Sequence, residues 1–526
     1  MNGYYLVGEH LGHSFSADIH RRFGRYDYAL KELSPAELGP FLERRDFTGL
    51  NVTIPYKEAV IPYLDRLDEN AAAIGAVNTV VNRDGVLWGY NTDFGGMAAA
   101  LCRLSETRAA ECRPCLGRAA YDRPYSASPL SLRGQFANWP WQSVPQLLQG
   151  KTVLILGTGG TSKTALAVCR ALGAAELFRV SRTGREGALR YKQAFALFGV
   201  TRSYPDASAG STDSSTPLRS AQNDRTGTLC FGAAAPLVIV NCTPVGMRPD
   251  PESAPISLES FLPCHSERSE ESVSPSCHSE RSEESVSPSC HSERSEESVP
   301  FPGLTGVFDC VYNPLRTRLV LEAQARGIPA AGGLYMLVKQ AALACELFTG
   351  TPVEDEKVDI IQNSLRREQE NIVLIGMPGA GKTTVGRILA QKTGKLFVDT
   401  DEALVQRTGK AISAIFAERG EAGFRELEAA VVRELAGLSG RVIATGGGTV
   451  LREENVRLLK HYGRLVFLDR PLEALEPSSE RPLGDTAEKL RKLYAERCPI
   501  YRAVADEIVS AAAAPEDTVL TMLEHL

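Results

Sequence analysis

The chain has 526 residues, more than a single hydrophobic core usually serves, so we expect two to four domains. Its 58 Lys and Arg and 64 Asp and Glu give a net charge of -6 without a basic stripe, which argues against nucleic-acid or membrane-surface binding. No apolar run approaches the roughly 18 residues of a membrane span, and the N-terminus MNGYYLVGEHLGHS lacks the features of a signal peptide. We therefore expect a cytoplasmic protein with small-molecule substrates.

Alternating strand-like and helix-like segments run from Gly3 to about Leu101, restart at Lys151 and restart again at Asn371, which predicts α/β domains with open sheets. The first block carries hydroxyl, amide, ammonium and carboxylate groups at positions predicted to be loops. Each could be an ordinary turn or cap residue, but together they suit a pocket for a polyhydroxylated acid. These groups occur in His13-Ser14-Phe15-Ser16, Asn51-Val-Thr53-Ile-Pro-Tyr-Lys57, Ala76-Val-Asn78-Thr79 and Asn91-Thr92-Asp93.

Residues 104–149 are rich in Pro and Arg without clear periodicity, and we interpret them as an irregular insertion. Within them, Cys112-Arg-Pro-Cys115 has no second pair to complete a zinc site, and the twelve cysteines are interpreted as reduced thiols. A nucleotide-binding domain is predicted over 150–332, because a strand, a turn with Gly157, Gly159 and Gly160, and a helix follow Lys151. Ser162 stands at the third glycine position of this fingerprint.

The next predicted strand ends in Ser181-Arg182-Thr183, and Arg185 follows. An acidic residue there would bind the ribose 2′-hydroxyl of NAD, whereas arginine suits the 2′-phosphate of NADP. A solvated arginine at a strand end is the structural alternative. The pattern favours NADP.

Two segments interrupt this domain, 208–228 and 264–298. The second is a tandem repeat of 13 residues that begins at Cys264, Cys277 and Cys290. The repeat has no apolar face, so we predict a solvated loop, and its Cys-His pairs provide no closed metal site. Codons for part of the repeat can be obtained as the reverse complement of codons for Ser220–Asp224, which belong to the first segment. We therefore hypothesise that both segments are copies of one mobile DNA repeat.

Together with Tyr312-Asn313-Pro314 and Gly333-Leu-Tyr-Met336-Leu-Val-Lys-Gln340, the motifs of the first two blocks resemble those of shikimate dehydrogenase over about residues 1–363. The resemblance implies an α/β substrate domain at 1–103, completed by about 333–363, and a Rossmann NADP domain. It implies Lys57 and Asp93 as the catalytic pair. The residues implied to bind substrate are Ser14, Ser16, Asn51, Thr53, Asn78, Asp93, Tyr312 and Gln340, and those implied to bind NADP(H) include Gly333 and Met336.

This half departs from the family pattern in having Ala17 instead of proline after the second serine, and in its insertions. Two alternatives therefore remain open. One is a quinate-type dehydrogenase that uses NAD, which Arg182 disfavours. The other is a degenerate, non-catalytic module, which the intact Lys57 and Asp93 disfavour.

Residues 351–370 are rich in charge and are interpreted as a linker or terminal helix. After them, Ile372-Val-Leu-Ile375 leads into Gly376-Met-Pro-Gly379-Ala380-Gly381-Lys382-Thr383, with a helix predicted from Thr384 to Lys392. A buried strand, a Gly-rich turn and a helix form a phosphate-binding loop whose backbone N–H groups face phosphate oxygens. The lysine can reach the β and γ phosphates, and Thr383 can occupy a Mg²⁺ position.

Asp399 and Asp401 follow the next predicted strand, and their spacing predicts that both carboxylates lie on one face of the sheet. Further motifs are Gly423-Phe-Arg425-Glu-Leu-Glu428, Ala444-Thr-Gly446-Gly447-Gly448, Glu480-Arg481-Pro-Leu and Arg497-Cys-Pro-Ile-Tyr501. With the phosphate loop, this set is similar to shikimate kinase over residues 371–526. The resemblance implies a P-loop α/β fold of the nucleoside-monophosphate-kinase type.

By that resemblance, shikimate would be bound by Asp401, Arg425, Gly447, Gly448 and Arg497. Lys382, Asp401 and Arg481 would take the catalytic roles, Asp399 would hold Mg²⁺ through water, and the loop from Gly376 to Thr384 would bind ATP. The stretch Glu473–Glu480 is shorter than the usual lid and lacks its adenine-stacking arginine. Because the first implied product is the second implied substrate, we expect a bifunctional enzyme of the route to chorismate.

Overall fold

The computed structural model describes residues 3–12, 14–111, 147–184, 187–197, 236–258, 303–475 and 486–525. Several sequence predictions fall outside these residues. They concern His13, the Cys112–Cys115 pair, Arg185, the segment 208–228, the 13-residue repeat and Arg481.

The N-terminal block forms a mixed sheet of six strands. In spatial order they are β2 (Tyr28–Glu32), β1 (Gly3–Gly8), β3 (Phe47–Val52), β5 (Thr79–Arg83), β6 (Val86–Tyr90) and β4 (Arg66–Leu67). Strand β5 pairs antiparallel with β3 and β6, whereas the other pairs are parallel. The β5–β6 hairpin turns at Asp84-Gly85, whose φ angles of 53° and 85° suit a tight hairpin turn. The accompanying helices are α1 (Ser16–Phe23), α2 (Pro35–Arg44) and α3 (Glu69–Ile74).

The second sheet has six parallel strands, as the nucleotide-binding pattern predicts. In spatial order they are β12 (Ala330–Ala331), β11 (Leu304–Asp309), β10 (Leu237–Asn241), β7 (Thr152–Leu156), β8 (Glu176–Ser181) and β9 (Leu189–Arg190). Its helices are α5 (Gly160–Ala171), α6 (Tyr191–Leu197) and α7 (Arg318–Gln324). The central strands are apolar throughout because helices cover both faces of such a sheet. Val153, Ile155, Ile239 and Val240 are accordingly inaccessible to solvent.

Three long helices complete the first half of the chain: α4 (Thr92–Glu111), α8 (Leu334–Thr349) and α9 (Asp355–Gln369). Helix α4 continues to Glu111, so the segment predicted to be irregular from residue 104 begins as helix. Helix α9 buries Val358, Ile361 and Leu365 against α1 and α8. The charged stretch before the phosphate loop is therefore mainly a helix packed on the first half.

The third sheet is parallel, with the strand that precedes the phosphate loop in its centre. The strand order is β14 (Leu396–Asp399), β15 (Arg441–Ala444), β13 (Asn371–Ile375), β16 (Gly463–Asp469) and β17 (Glu507–Ser510). The helices are α10 (Lys382–Thr393), α11 (Thr400–Thr408), α12 (Ile412–Ala436, bent at Gly420), α13 (Glu453–Lys460), α14 (Ala487–Val504) and α15 (Pro515–His525). Across the described ranges, every helix is too short or too polar to cross a membrane.

Candidate active sites

A cavity of about 200 Å³ lies where the first sheet, the second sheet and α8 meet. The predicted substrate-binding and catalytic residues of the first half all line it. They are Ser14, Ser16, Asn51, Thr53, Lys57, Asn78, Asp93, Tyr312 and Gln340, joined by Gly333 and Met336 from the predicted cofactor set. The sequence interpretation missed Thr161, Cys242, Thr243 and Met247, which also line the cavity. Thr161 directly follows the predicted glycine turn, which was the available signal for it.

Lys57 and Asp93 form a close ion pair within this cavity. The Lys57 Nζ lies 2.6 Å from Asp93 Oδ2, and Asp93 is only 6% exposed. Asp93 occupies the first turn of α4, where the positive end of the helix dipole stabilises a carboxylate. The prediction that these groups lie on loops is wrong for Thr92 and Asp93 in α4, for Ser16 in α1, and for Asn51 and Thr79, which lie in β3 and β5.

The cavity amides are oriented by hydrogen bonds with a residue outside the cavity and with one another. Asn51 Oδ1 accepts a bond of 2.8 Å from the Tyr28 hydroxyl, and Asn78 Nδ2 donates at 3.3 Å to Gln340 Oε1. The Tyr28 ring stacks on His20 with centroids 3.9 Å apart. Burial lowers the pKa of His20 to about 3, so the ring is neutral at physiological pH. His20 therefore adds no positive charge behind the polar wall of the cavity.

The glycine turn after β7 lies beside Lys57. Gly157 has a φ of 110°, and a Cβ there would lie 3.2 Å from the Cys242 carbonyl oxygen. A Cβ on Gly160 would lie 3.5 Å from the Lys57 Cβ. Ser162, at the third glycine position, is fully buried and donates its hydroxyl to the Gly159 carbonyl at 2.9 Å. Serine is therefore accommodated in this turn.

The predicted 2′-phosphate site lies at the end of β8, outside this cavity. Arg182 and Thr183 are exposed there. The Ser181 hydroxyl accepts a bond of 2.9 Å from the Gly184 backbone N–H and so shapes the turn. Arg182 is thus accessible to an anionic ligand.

A second cavity, of about 420 Å³, lies at the carboxyl end of the third sheet. Most of the predicted kinase residues line it: Gly379, Gly381, Lys382, Thr383, Thr384, Asp399, Asp401, Arg425, Gly447, Gly448 and Arg497. Gly376 and Ala380 belong to the loop but are not among the residues that line the cavity. Gly376 has a φ of 143°, and Ala380 is buried. Phe416, Phe424 and Glu428, to which the sequence interpretation gave no role, also line this cavity.

The phosphate loop has the backbone that its glycines predict. Gly379 and Gly381 have φ angles of 84° and 90°, which side chains other than glycine rarely adopt. Lys382 Nζ donates to the carbonyl oxygens of Gly376 and Met377, both at 2.9 Å. Helix α10 begins at this lysine, two residues before the predicted start. The ammonium group is therefore held over the loop, where phosphate oxygens would enter.

The Asp399 and Asp401 carboxylates do not share a face of the sheet, which corrects the sequence prediction. Asp399 ends β14 and caps α11, accepting a bond of 2.9 Å from the Asp401 backbone N–H. Asp401 lies in the first turn of α11, because the chain becomes helical after the cap. The other Asp399 oxygen accepts a bond of 2.7 Å from the Thr383 hydroxyl. Burial, followed by the nearby Asp399 carboxylate, raises the pKa of Asp401 to about 6.

Arg425 is fixed by an acidic residue that the sequence interpretation did not single out for a role. Its Nη1 donates at 2.8 Å to Glu428, which is 1% exposed and accepts a further bond of 2.7 Å from Thr449. The i, i+3 spacing of Arg425 and Glu428 on α12 was the available signal. A Cβ on Gly448 would collide with the Arg425 guanidinium, so a larger residue there would displace this group.

Arg497 is the second guanidinium of this cavity and is 6% exposed. The nearby Tyr501 donates its hydroxyl to the Gly447 carbonyl. Burial raises the pKa of Tyr501 to about 12, which keeps this donor protonated. Two arginines and one aspartate therefore face a space beside the phosphate loop, an arrangement that suits a carboxylate-bearing alcohol.

Comparisons with known proteins match a different family model to each half of the chain. The family model of shikimate kinase matches residues 378–526, and that of the shikimate dehydrogenase substrate binding domain matches residues 6–80. Shikimate kinase from Chromobacterium violaceum is 45% identical over 146 residues, which is 26% of this chain and 79% of that protein. Shikimate kinase from Neisseria meningitidis is 43% identical over 162 residues, covering 30% of this chain and 95% of the relative.

Solved structures similar to this chain come from both families. Shikimate dehydrogenase 1 from Peptoclostridium difficile is 24% identical, with 69% of this chain and 98% of that chain covered and a TM-score of 0.44. Shikimate kinase from Acinetobacter baumannii in complex with shikimate is 36% identical, with 31% and 95% covered and a TM-score of 0.30. The chain therefore belongs to the shikimate kinase family and carries, before the kinase, a shikimate dehydrogenase substrate-binding domain, the composition of a bifunctional shikimate-pathway enzyme.

Proposed function

We propose that the chain catalyses two consecutive reactions, the NADPH-dependent reduction of 3-dehydroshikimate to shikimate and the ATP-dependent phosphorylation of shikimate at its 3-hydroxyl. The observation that carries the proposal is the presence of two separate cavities, each lined by polar residues that suit one of the two reactions. Residues 1–103 with 333–363 would bind the first substrate, 150–332 would bind NADP(H), and 371–526 would form the kinase.

In the first reaction, NADPH supplies a hydride to the ketone carbon of the substrate. The developing alkoxide needs a proton, and Lys57 is the acid available in the cavity. Asp93 holds the lysine ammonium in place at 2.6 Å. Ser14 and Ser16 bind the substrate carboxylate, while the amides of Asn51, Asn78 and Gln340, with Thr53, bind its hydroxyls. Tyr312 lines the same cavity and is proposed to contact the substrate.

The preference for NADPH rests on Arg182 at the end of β8. This arginine is exposed and follows the strand at the position where NAD enzymes place an acidic residue. A guanidinium group pairs with a 2′-phosphate through two parallel hydrogen bonds. Arg182 therefore disfavours the quinate-type, NAD-dependent alternative. Thr183, which is exposed next to Arg182, would contact the same phosphate, and the family resemblance assigns Arg185, outside the described residues, to the same role.

In the second reaction, Arg425 and Arg497 bind the shikimate carboxylate, because planar guanidinium groups match it in two-point hydrogen bonding. The backbone of Gly447 and Gly448 lies against the ring of the substrate. Asp401 orients the 3-hydroxyl and accepts its proton. Lys382 neutralises charge on the transferring phosphoryl group, a role that Arg481 shares.

Thr383 and Asp399 suit a Mg²⁺ ion that accompanies ATP. Both are oxygen donors, and their 2.7 Å hydrogen bond places them together at the edge of the phosphate loop. The described residues contain no cluster of three or more His, Cys, Asp and Glu side chains for a metal. This is consistent with an ion held mainly by the nucleotide and water, where it would offset phosphate charge.

One coupled assay tests both reactions. The full chain receives 3-dehydroshikimate, NADPH, ATP and Mg²⁺, and NADPH absorbance is followed together with shikimate 3-phosphate. Both signals are expected to change. Phosphorylation of added shikimate without NADPH oxidation would instead support the alternative of an active kinase joined to a non-catalytic dehydrogenase-like module. The close Lys57–Asp93 pair disfavours that alternative.

A further inference from the structure

The loop 310–316, which follows β11, contacts both halves of the chain. Tyr312 lines the dehydrogenase cavity, and the next residue, Asn313, accepts a hydrogen bond from the hydroxyl of Tyr462 in the kinase domain. Asn313 is 9% exposed and Tyr462 is 3% exposed, so water cannot readily replace this bond. A buried contact with the kinase therefore lies one residue from the dehydrogenase cavity.

The end of the same loop has a second anchor on the kinase. The Arg316 backbone N–H donates to the His461 carbonyl at 3.0 Å, and the Arg316 carbonyl accepts from His461 Nδ1 at 2.7 Å. The Arg316 Nε donates to the Lys460 carbonyl at 2.9 Å. His461 and Tyr462 are consecutive, so one short kinase segment holds the loop at two points.

A neighbouring loop of the dehydrogenase half is tied to the first. Met247 lines the cavity, and the Arg248 backbone N–H donates to the Asn313 carbonyl at 3.3 Å. The Arg248 guanidinium also donates to the Gly437 carbonyl of the kinase. Arg248 is exposed, whereas the Asn313–Tyr462 contact is buried. Of these two contacts, the buried one is therefore expected to contribute more to the position of both loops.

We infer that Tyr462 of the kinase domain is a positioning residue for the dehydrogenase reaction, acting through Asn313 on Tyr312. The inference rests on the proposed dehydrogenase function. Without the Tyr462 hydroxyl, Asn313 Oδ1 loses its donor in a buried environment, and the loop must shift to satisfy it. Substrate contact by Tyr312 weakens as a result, while the Lys57–Asp93 pair, on other elements, keeps its geometry.

Tyr462→Phe in the full chain removes the hydroxyl and keeps the ring. The KM for 3-dehydroshikimate is expected to rise on the order of tenfold, the effect of one lost buried hydrogen bond, with kcat nearly unchanged. The phosphorylation of added shikimate should stay at the wild-type rate. Tyr494→Phe on α14 is the matched control, since that tyrosine packs against the kinase core.

A second variant tests whether the effect of Tyr462→Phe on the KM passes through Asn313. Asn313→Ala should raise the same KM to a similar extent, and the double variant should show no further rise, because both changes break one interaction. A double variant whose KM rises by the product of the two single effects would overturn the inference.

The remaining outcomes separate the two proposals. A wild-type chain that oxidises no NADPH with 3-dehydroshikimate overturns the proposed dehydrogenase function and this inference together. An active wild type with an unchanged KM in Tyr462→Phe overturns the inference alone. An equal rise in KM for Tyr494→Phe also overturns it, because the effect would then be a general one of the kinase domain.

Discussion

Lys57 Nζ and Asp93 Oδ2 lie 2.6 Å apart, although their residues are 36 positions apart in the chain. Lys57 lies in the turn after β3, and Asp93 opens α4. A backbone hydrogen bond also holds the turn that carries Lys57, because the Val77 N–H donates to the Lys57 carbonyl at 2.7 Å. The pair is thus set by the packing of a turn against a helix start.

Replacing Lys57 by alanine should lower the dehydrogenase kcat by a factor of about 10²–10⁴, the usual contribution of a positioned proton donor. The same protein should phosphorylate shikimate normally, which serves as the internal control for folding. NADPH oxidation and phosphorylation are measured on one preparation. A variant that retains more than about a tenth of the dehydrogenase rate would assign proton donation to another group.

Replacing Lys382 by alanine should abolish phosphorylation and leave NADPH oxidation unchanged. The loss should be on the order of 10²-fold or more, because the ammonium neutralises charge in the transition state. Lys392→Ala, at the exposed end of the same helix, is the control and should be active. Initial rates with saturating shikimate and ATP provide the measurement, and comparable rates for the two variants would contradict the assigned role.

Gly448→Ala should raise the KM for shikimate about tenfold or more, since the added Cβ displaces the Arg425 guanidinium, a charged hydrogen-bonding group. The KM for ATP should change little, because the phosphate loop is a separate element. Gly437→Ala is the matched control, with a φ of -74° that alanine tolerates. An unchanged KM for shikimate in Gly448→Ala would show that Arg425 does not hold the carboxylate.

Arg182→Ala should raise the KM for NADPH about tenfold, the loss expected for one charge-assisted contact with phosphate, and should leave the KM for NADH unchanged. Arg170→Ala, an exposed residue at the end of α5, is the control. The two KM values are obtained from NADPH and NADH oxidation at fixed 3-dehydroshikimate. A parallel change for both nucleotides would exclude recognition of the 2′-phosphate by Arg182.

Glu252→Gln should weaken the contact between the two halves in a pH-dependent way. Burial acts to raise the pKa of Glu252, but hydrogen bonds from His461 at 2.6 Å and Arg457 at 2.9 Å outweigh it and lower the pKa to about 2. Because the pKa of Glu252 is lower in the folded state than the unfolded value near 4.5, the ionised carboxylate stabilises the folded protein above pH 4.5. This stabilisation is lost as the pH falls towards about 2.

The stabilisation by Glu252 is about 1 kcal/mol after allowing for solvent screening, because the side chain is partly exposed. Thermal unfolding of wild type and Glu252→Gln should therefore differ by a few degrees at pH 7. The difference should shrink steadily below pH 4.5. A difference that stays constant from pH 7 to pH 3 would show that the Glu252 charge does not stabilise the contact.

Much of each site was predictable because it depends on local sequence. The turn from Gly376 to Lys382 requires positive φ angles at defined positions, and only glycine adopts these freely. The family resemblances rest on short motifs, which are also local features of the sequence. They therefore supplied the residues of both cavities. Asp401 was misplaced, because a period of two was assumed beyond the last residue of β14 and the chain is already helical there.

The sequence by itself determined the α/β class, the two glycine-rich turns and most side chains that enter the cavities. Only the tertiary structure decided which of these side chains meet, as Lys57 meets Asp93, and which buried partners hold them, as Glu428 holds Arg425. The contact between Tyr462 and Asn313 joins residues 149 positions apart. Backbone preferences act over a few residues, whereas such contacts depend on how whole sheets and helices pack against one another.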